Sequence, residues 1–512
     1  MIQLLKRITC VFLSLLVLTA MLPCATAAEN TEEAVDITKE AEITASEGLY
    51  FLRALTDGYH SHIPAIRNGS WIKLEHPQGF GSLYFIFHWE YVGYTITNND
   101  TGAVHTVGEE GFLHNFVDLA AIFGSAPKSV TISFENGDAQ LREIYAFTTG
   151  EVPSFVQRWS APVDGKTDLV LFSTHGDDDQ LFFAGLLPYY AGELGYQVQV
   201  CYLTNHRRSE PERIHEMLNG LWAVGVTTYP VFGEYNDFLR ETMAGAYSSF
   251  AALGWPREHL MGYVVEQLRR FKPLVAVGHD VYGEYGHGQH MVYTDLLMDA
   301  LEISNDPQYY PELAEKYGLW DVPKTYLHLY WENKITMDWD RPLEKFGGMT
   351  AYEVTKDLGF PCHKSQLQAF TSYFWKASKA TEVYAYGPTE YGLFRSTVGE
   401  DVLKNDFFEN LTTYAEQERI AEEARIAEEK RLKEEEEARL KAEAEEKARL
   451  EAEAEAKRLA EEEAAAKEKA EQRLAEEQAQ ALQEKRQQIL ILTGIGALFL
   501  AAAGVITYRK RQ

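Results

Sequence analysis

The chain has 512 residues, 46% of them hydrophobic, with 77 acidic against 48 basic side chains and a formal net charge of -29. That is apolar material for more than one buried core, which excludes a disordered chain, and so negative a surface repels polyanions, which argues against nucleic acid as a partner. Of four cysteines only Cys201 and Cys362 lie beyond the first 28 residues, so no disulfide framework is expected.

Residues 1–28 carry Lys6 and Arg7, an apolar run from Ile8 to Pro23 and the small string Ala25-Thr26-Ala27, the pattern of a signal peptide, with an uncleaved anchor as the alternative. Residues 41–150 alternate apolar and polar positions in Trp71–Leu74, Ser82–Phe87, Ser129–Phe134 and Arg142–Phe147, separated by Gly, Asn and Asp turns. This predicts a β-sandwich. Its closing string Leu141-Arg142-Glu143-Ile144-Tyr145 resembles discoidin-like carbohydrate-binding jelly rolls. Trp71, Trp89 and Tyr91 offer ring faces to a sugar, although aromatics in a small sandwich more often fill its core.

From 160 to 410 the texture changes to alternating strands and helices. Asp168–Thr174 reads as a buried strand, followed by His175-Gly176-Asp177-Asp178-Asp179 and then by a helix from Gln180 to Gly192. Strand Gln197–Thr204, helix Glu210–Val224, a short strand near Tyr229–Phe232, helix His259–Phe271 and strand Pro273–Val277 come next. The string Gly283-Glu284-Tyr285-Gly286-His287-Gly288-Gln289-His290 then leads into a helix reaching Ile303. A strand at Thr325–Trp331 and a helical stretch at His363–Lys379 complete the domain, which closes near Phe407-Phe408-Glu409. The alternation predicts a parallel, Rossmann-like sheet covered on both faces, with chemistry at the carboxyl ends of its strands, where both strings fall. A His and an Asp three residues on can give a metal two donors and a distant His the third, while Asp177, between the first two, suits a general base. His279 is expected to be structural, His363 to serve packing, and His206 and His215 to lie on the surface.

His-x-Asp-Asp after a first strand, with Gly-x-Tyr-Gly-His-x-x-His after a later one, resembles the LmbE-like zinc deacetylases, the family of N-acetylglucosaminyl-phosphatidylinositol de-N-acetylase (PIG-L). The resemblance implies an N-deacetylase acting on N-acetylglucosaminyl substrates. It implies His175, Asp178 and His290 as zinc ligands, Asp177 as base, His287 as general acid or electrophile, and Tyr285 as donor to the developing oxyanion. It further implies Arg213, in an Arg-x-x-Glu string with Glu216, and Asp237 as substrate-binding. Three positions depart from the family: Gly176 stands for Pro, Asp179 for Glu, and Gln289 for the Asp that commonly orients the catalytic His. The metal remains open to other divalent ions, since His/Asp/His sites do not select by ligand type alone.

Residues 414–488 form a Glu/Ala/Lys/Arg segment whose scattered apolar residues, Ile420, Ile426, Leu432, Leu440, Leu459 and Leu474, make no stripe at helical spacing. Glu429/Lys433, Glu435/Arg439, Glu443/Lys447, Glu453/Lys457 and Glu463/Lys467 stand four apart. The expectation is a solitary charged stalk, with an alanine-seamed coiled-coil dimer as the alternative. The stalk holds 24 acidic and 16 basic residues, a net of -8, so -21 of the -29 lies elsewhere. Residues 489–508 are uncharged and long enough to cross a bilayer, and Arg509-Lys510-Arg511 behind them predicts a cytoplasmic tail at 509–512. The expectation is a single-pass cell-surface protein with its catalytic domain outside the cytoplasm. The activity expected is deacetylation of an N-acetylated amino-sugar glycan; the alternative is a surface glycan-binding or adhesion protein with weakened catalysis.

Overall fold

Leu169–Ser173 (β1) is buried at every residue, as are Val198–Thr204 (β2), Val275–Gly278 (β4) and Lys324–His328 (β5). Continuous burial is what strands covered on both faces show. With Val231–Tyr235 (β3), Lys334–Thr336 (β6) and Glu390–Ser396 (β7) they form a seven-stranded sheet in the order β3-β2-β1-β4-β5-β7-β6. The computed structural model describes residues 32–508 except 109–110, 207–209 and 367–370, together with the side chains of all but 502 and 505–508. The expected signal peptide and the 509–512 tail lie outside the described residues.

Pairing is parallel from β3 through β5, as the alternation predicts. The last two strands run antiparallel, an edge that sequence reasoning missed. Strand order reverses beside β1: β2 and β3 lie on one side and β4 and β5 on the other. That reversal opens a crevice between the carboxyl ends of β1 and β4. Around the sheet pack the helices Pro211–Ala223 (α1), Met243–Ala252 (α2), Arg257–Phe271 (α3) and Gly288–Ile303 (α4).

Two helix expectations fail for identifiable reasons. The expected helix Gln180–Gly192 survives only as Asp178–Leu181 and a π-turn at Pro188–Glu193. Gly185 adopts φ 88° between them, with the buried Trp339 ring packed against it. Among the described residues, the stretch expected at 363–379 holds a 3-10 turn at Lys364–Gln366 and a single helical turn at Ser372–Trp375; 367–370 lie outside the described residues. Phe407 and Phe408, near which the domain is expected to close, are buried.

The N-terminal sandwich is present. Five strands run in the order Glu42–Ala45, Ser70–Glu75, Ser129–Phe134, Tyr94–Asn98, Val104–Val107, and four in the order Ala65–Ile66, Ala139–Phe147, Ser82–Phe87, His114–Asp118. It begins before residue 41, since Asp36 bridges Phe147 and Ile37 is buried. Ser129–Phe134 alternates half-buried and buried positions, as a sheet with one open face should, whereas Ser82–Phe87 is buried throughout. The second face of that strand, Tyr84 and Ile86, is covered by Ala34, Val152 and Val156, and Tyr84 reaches α1 through His114 and His215.

The dock is polar. Arg142, buried, donates to both carboxylate oxygens of Glu212 at 2.7 and 2.8 Å, and its Nε donates to His88 Nδ1. Beside it runs a chain of one direction. His215 Nε2 meets the His88 carbonyl at 2.6 Å and so must donate; His215 Nδ1 then accepts from His114 Nε2 at 2.8 Å, and His114 Nδ1 accepts from the Tyr84 hydroxyl at 2.5 Å. Two neutral histidines satisfy every link. His215, expected on the surface, is therefore a buried interface residue.

Residues from Gln417 onward form a second compact unit, part of the helix Tyr414–Tyr508, and its described side chains are exposed throughout. No apolar seam appears. Of the five expected pairs only Glu429–Lys433 forms, at 2.9 Å; Arg431–Glu435 and Arg419–Glu423 pair in the opposite order. Among the described residues no helix is long and apolar enough to cross a membrane. The expected 489–508 span ends in side chains outside that set.

Burial pushes His114 down to about 3, with His60 and Arg142 acting in the same direction. A histidine held neutral in the fold but free to protonate when unfolded contributes stability that is complete above about pH 6.5 and is lost as pH falls from there toward its folded value, about 2 kcal/mol by pH 5. The melting temperature is expected to fall between pH 7 and 5. His114→Gln, whose amide can both accept and donate, should fall less steeply in the same calorimetric series.

Candidate metal centre

β1 ends at Ser173, and the backbone N–H of Thr174 donates to His279 Nε2 at 2.9 Å, turning the chain toward the crevice. Gly176 follows. A Cβ there would stand 2.3 Å from Met217 Cγ on α1, so the close approach of that helix admits glycine and accounts for the departure from Pro at this position. Asp178 and Asp179 occupy the first turn of the short helix, whose backbone N–H dipoles favour carboxylates. From the other side of the switch point, the loop after β4 passes through Gly283 and Gly286, both at positive φ, and brings His287 to the N-cap of α4 with His290 one turn in.

Three donor atoms converge. His175 Nδ1 lies 3.0 Å from Asp178 Oδ2 and 3.1 Å from His290 Nε2, and His290 Nε2 lies 3.1 Å from Asp178 Oδ2. The partners on the outer sides fix the tautomers. His175 Nε2 faces Gln289 Oε1 at 3.1 Å and carries its hydrogen there, while His290 Nδ1 carries its hydrogen toward Glu284 Oε2 at 2.7 Å. Both inner nitrogens therefore turn lone pairs toward a carboxylate oxygen. Such an arrangement calls for a cation, and donors about 3.3 Å apart are what tetrahedral bonds of about 2.0–2.1 Å require. The residues fit a divalent metal such as zinc. A proton can stand in for that cation: burial opposes its charge, yet Asp178 and Asp237 hold His175 well above its ordinary value, and His290 and His175 hold buried Asp178 well below its own.

Behind the donors sits a group that sequence reasoning missed. Glu284, fully buried, takes His279 and His290 on Oε2 at 2.8 and 2.7 Å and His328, the last residue of β5, on Oε1 at 2.6 Å. One carboxylate thus fixes the ring of a donor and ties together the strand ends that flank the site. Its signal lay inside the second motif, within six residues of His279 and His290, but nothing in the sequence points to His328. His279 also belongs to a possible donor set with Asp178 and His290, and His287 to one with His175 and His290. Each has a nitrogen engaged by backbone, however: Thr174 N–H on His279 Nε2, and Gln289 N–H on His287 Nδ1 at 3.2 Å. The structural role expected for His279 is what the geometry gives.

A cleft of about 130 Å³ opens beside the donors, lined by Asp177, Phe182, Arg213, Asp237, Tyr285 and His287, among others. Asp177 accepts from Arg213 at 2.7 Å, and Arg213 reaches Asp237 Oδ2 at 3.2 Å; Asp237 Oδ1 in turn meets His175 Nε2 at 3.3 Å. Burial raises Asp177 above the usual carboxylate range, and Arg213 only partly offsets it. His287 is pushed down to about 3 by burial and by His175 and His290. Tyr285 sits at φ 48°, a left-handed conformation costing about 1–3 kcal/mol in a non-glycine residue and common where function dictates geometry. Its ring stands 5.4 Å from that of His287, and burial holds its hydroxyl protonated.

All eight site residues expected from the sequence therefore gather around one cleft. Glu216 does not join them: it accepts from the backbone and hydroxyl of Ser365 at 2.9 and 2.5 Å. His363 packs, buried, against Gly220 of α1. His206, expected on the surface, is buried and bonded to Thr204 Oγ1 at 3.1 Å.

Residues 170–301 match the PIG-L family, described as GlcNAc-PI de-N-acetylase. It is similar to 1D-myo-inositol 2-acetamido-2-deoxy-alpha-D-glucopyranoside deacetylase 2 of Saccharopolyspora erythraea, 31% identical over 177 residues, 31% of this chain and 63% of that protein. The deacetylase 1 of the same name from Catenulispora acidiphila is 24% identical over 284 residues, 48% of this chain and 84% of its own. The chain thus spans less than two thirds of the first of these relatives. Among solved structures, N,N'-diacetylchitobiose deacetylase from Pyrococcus horikoshii aligns over 45% of this chain and 84% of its own, with 12% identity and a TM-score of 0.31.

Gln289 orients one donor and, through Phe238 N–H at 3.0 Å and the Asn236 carbonyl at 2.9 Å, the loop bearing Asp237. Its replacement in Gln289→Leu is expected to weaken metal binding about 10- to 100-fold in a chelator competition. An unchanged affinity would show that the amide does not hold His175.

Proposed function

We propose that the chain is a metal-dependent N-deacetylase that hydrolyses the acetyl group of an N-acetylglucosaminyl-type glycan, with zinc or another divalent ion at His175, Asp178 and His290. The carrying observation is the set of three converging lone pairs next to a buried, base-poised Asp177, an arrangement a binding module does not need. A divalent ion held there would supply Lewis acidity and acidify water at the site to a pKa of about 7.

The chain's own residues supply the rest. Asp177 Oδ, raised by burial and steadied by Arg213, takes the proton of the attacking water. His287 keeps Nδ1 on the helix N-terminus, which leaves Nε2–H as a donor to the reacting carbonyl oxygen or the departing nitrogen. The Tyr285 hydroxyl, for which no described residue acts as acceptor, adds a second donor beside it. Arg213 and Asp237 present paired charges that suit the hydroxyls of an amino sugar. The leaving amine takes up the proton held on Asp177, and amine and acetate depart.

The reading extends to location: an enzyme outside the cytoplasm, carried by a membrane helix at 489–508. What supports this is the uncharged run itself and the exposure of its described apolar side chains, Ile489 through Leu500. A neutral or cationic glycan suits the negative surface better than an anionic one.

Asp177→Asn is expected to lower acetate release from N-acetylglucosamine oligomers by about 10²- to 10⁴-fold while metal content, measured by elemental analysis, stays near one per chain. Wild-type protein that takes up no divalent metal would sink the proposal. For location, ending the chain after Gln488 should move it from the carbonate-resistant membrane fraction to the supernatant; full-length protein that is itself extracted by carbonate would remove the anchor.

A further inference from the structure

Tyr282 and Trp331 are exposed at the carboxyl end of the sheet, on the loops after β4 and β5, where the core has no use for them. Tyr282 is 66% exposed and Trp331 49%. They stack with ring centroids 5.7 Å apart at 26°, and Trp331 is backed by Tyr330 at 4.7 Å, which meets Phe394 at 5.7 Å. The result is an aromatic cluster whose outer stacked pair, Tyr282 and Trp331, is largely open to solvent. Its base is rigid. The Tyr282 N–H donates to Asp280 Oδ1 at 3.1 Å, and both loops converge on Glu284, which takes the Asp280 N–H at 3.3 Å and His328 at 2.6 Å.

The cluster is tied to the metal centre by covalent reach. Tyr282 precedes Tyr285 by three residues, at most about 11 Å of chain, and the Tyr285 ring is 5.6 Å from that of His290. The cleft itself is small, about 130 Å³, so a glycan of several rings extends beyond it onto the surface around the mouth. A rigid, partly wet aromatic face suits the flat C–H face of a pyranose, whose hydroxyls stay in water.

We propose that Tyr282, backed by Trp331, is a subsite that stacks a second sugar ring of the substrate, so that the site prefers an oligomeric glycan to a single N-acetylated sugar. This rests on the deacetylase reading for the identity of the first ring, and the test separates the two.

Tetra-N-acetylchitotetraose and N-acetylglucosamine would be titrated calorimetrically into the full-length, detergent-solubilised Asp177→Asn protein. The tetramer is expected to bind at least about tenfold more tightly, and Tyr282→Ala or Trp331→Ala to erase most of that ratio. Trp331→Phe, which keeps a backing ring, should retain it, with melting curves confirming that each variant is folded. Tyr309→Ala, an exposed ring beyond the far end of α4, about 24 Å along that helix, should leave the ratio as it was. A tetramer that binds no better than the monomer, that fails to bind, or whose advantage survives Tyr282→Ala overturns the subsite. Acetate release from wild-type protein is scored separately. Equal kcat/KM on both sugars removes the subsite and leaves the deacetylase; tetramer binding that depends on Tyr282 without acetate release does the reverse.

Discussion

At His175, Asp178 and His290 two imidazole nitrogens and a carboxylate oxygen meet within about 3 Å of one another, and much of what surrounds them serves that meeting. Four carboxylates, Asp177, Asp178, Asp237 and Glu284, cluster here against one guanidinium, Arg213. Removing such charges from water costs several kcal/mol each unless they are paired. Arg213 answers two of them, and the three histidines around Glu284 answer a third. The remaining excess of negative charge lies where the donor atoms point, so the fold carries a built-in demand for a divalent cation.

That demand explains why the strand ends are tied so closely. β1 brings two donors, the turn into α4 brings the third, and the loop after β4 brings Glu284; only the switch in strand order sets β1 and β4 side by side. Glu284 then reaches His328 on the next strand, β5, so one carboxylate joins the ends of β4 and β5, and Thr174 N–H on His279 ties the end of β1 to them. On the opposite side, Arg213 rides on the first turn of α1, the helix gripped from behind by the sandwich through Arg142–Glu212 and the His114–His215 chain. The sandwich is thus a wall of the catalytic domain, one helix away from the residue that steadies Asp177.

The sheet and the donor set were legible because their signals are local. Continuous apolar runs announce β1, β2 and β4, and the two motifs carry every donor. What was illegible depends on tertiary partners. The helix expected at Gln180–Gly192 has the right composition, but Trp339, over 150 residues later, packs against Gly185 where the chain turns to φ 88°. His206 and His215 look like surface residues on polar segments; a neighbouring threonine and an entire second domain bury them. His328 ends an unremarkable strand and gains its meaning from a carboxylate 44 residues earlier. Along the stalk Glu429–Lys433 pairs in the favoured order and Arg431–Glu435 in the reverse, so four-residue spacing alone does not say which pairs form.

The departure at Gln289 is the most instructive of these features, because it looks like a loss when read from the sequence. A carboxylate at this position would face the Asn236 carbonyl oxygen at 2.9 Å with nothing to donate, and would add a fifth negative charge to the cluster. The amide donates to that carbonyl and accepts from Phe238 N–H and His175 at the same time. His287, meanwhile, takes its orientation from the backbone N–H of the same residue, at the positive end of α4, where a neutral imidazole is favoured over its protonated form. His287 is therefore positioned by helix geometry in place of a side-chain acid. The side chain so released holds the Asp237 loop against a metal ligand, and the two walls of the cleft become one hydrogen-bonded unit.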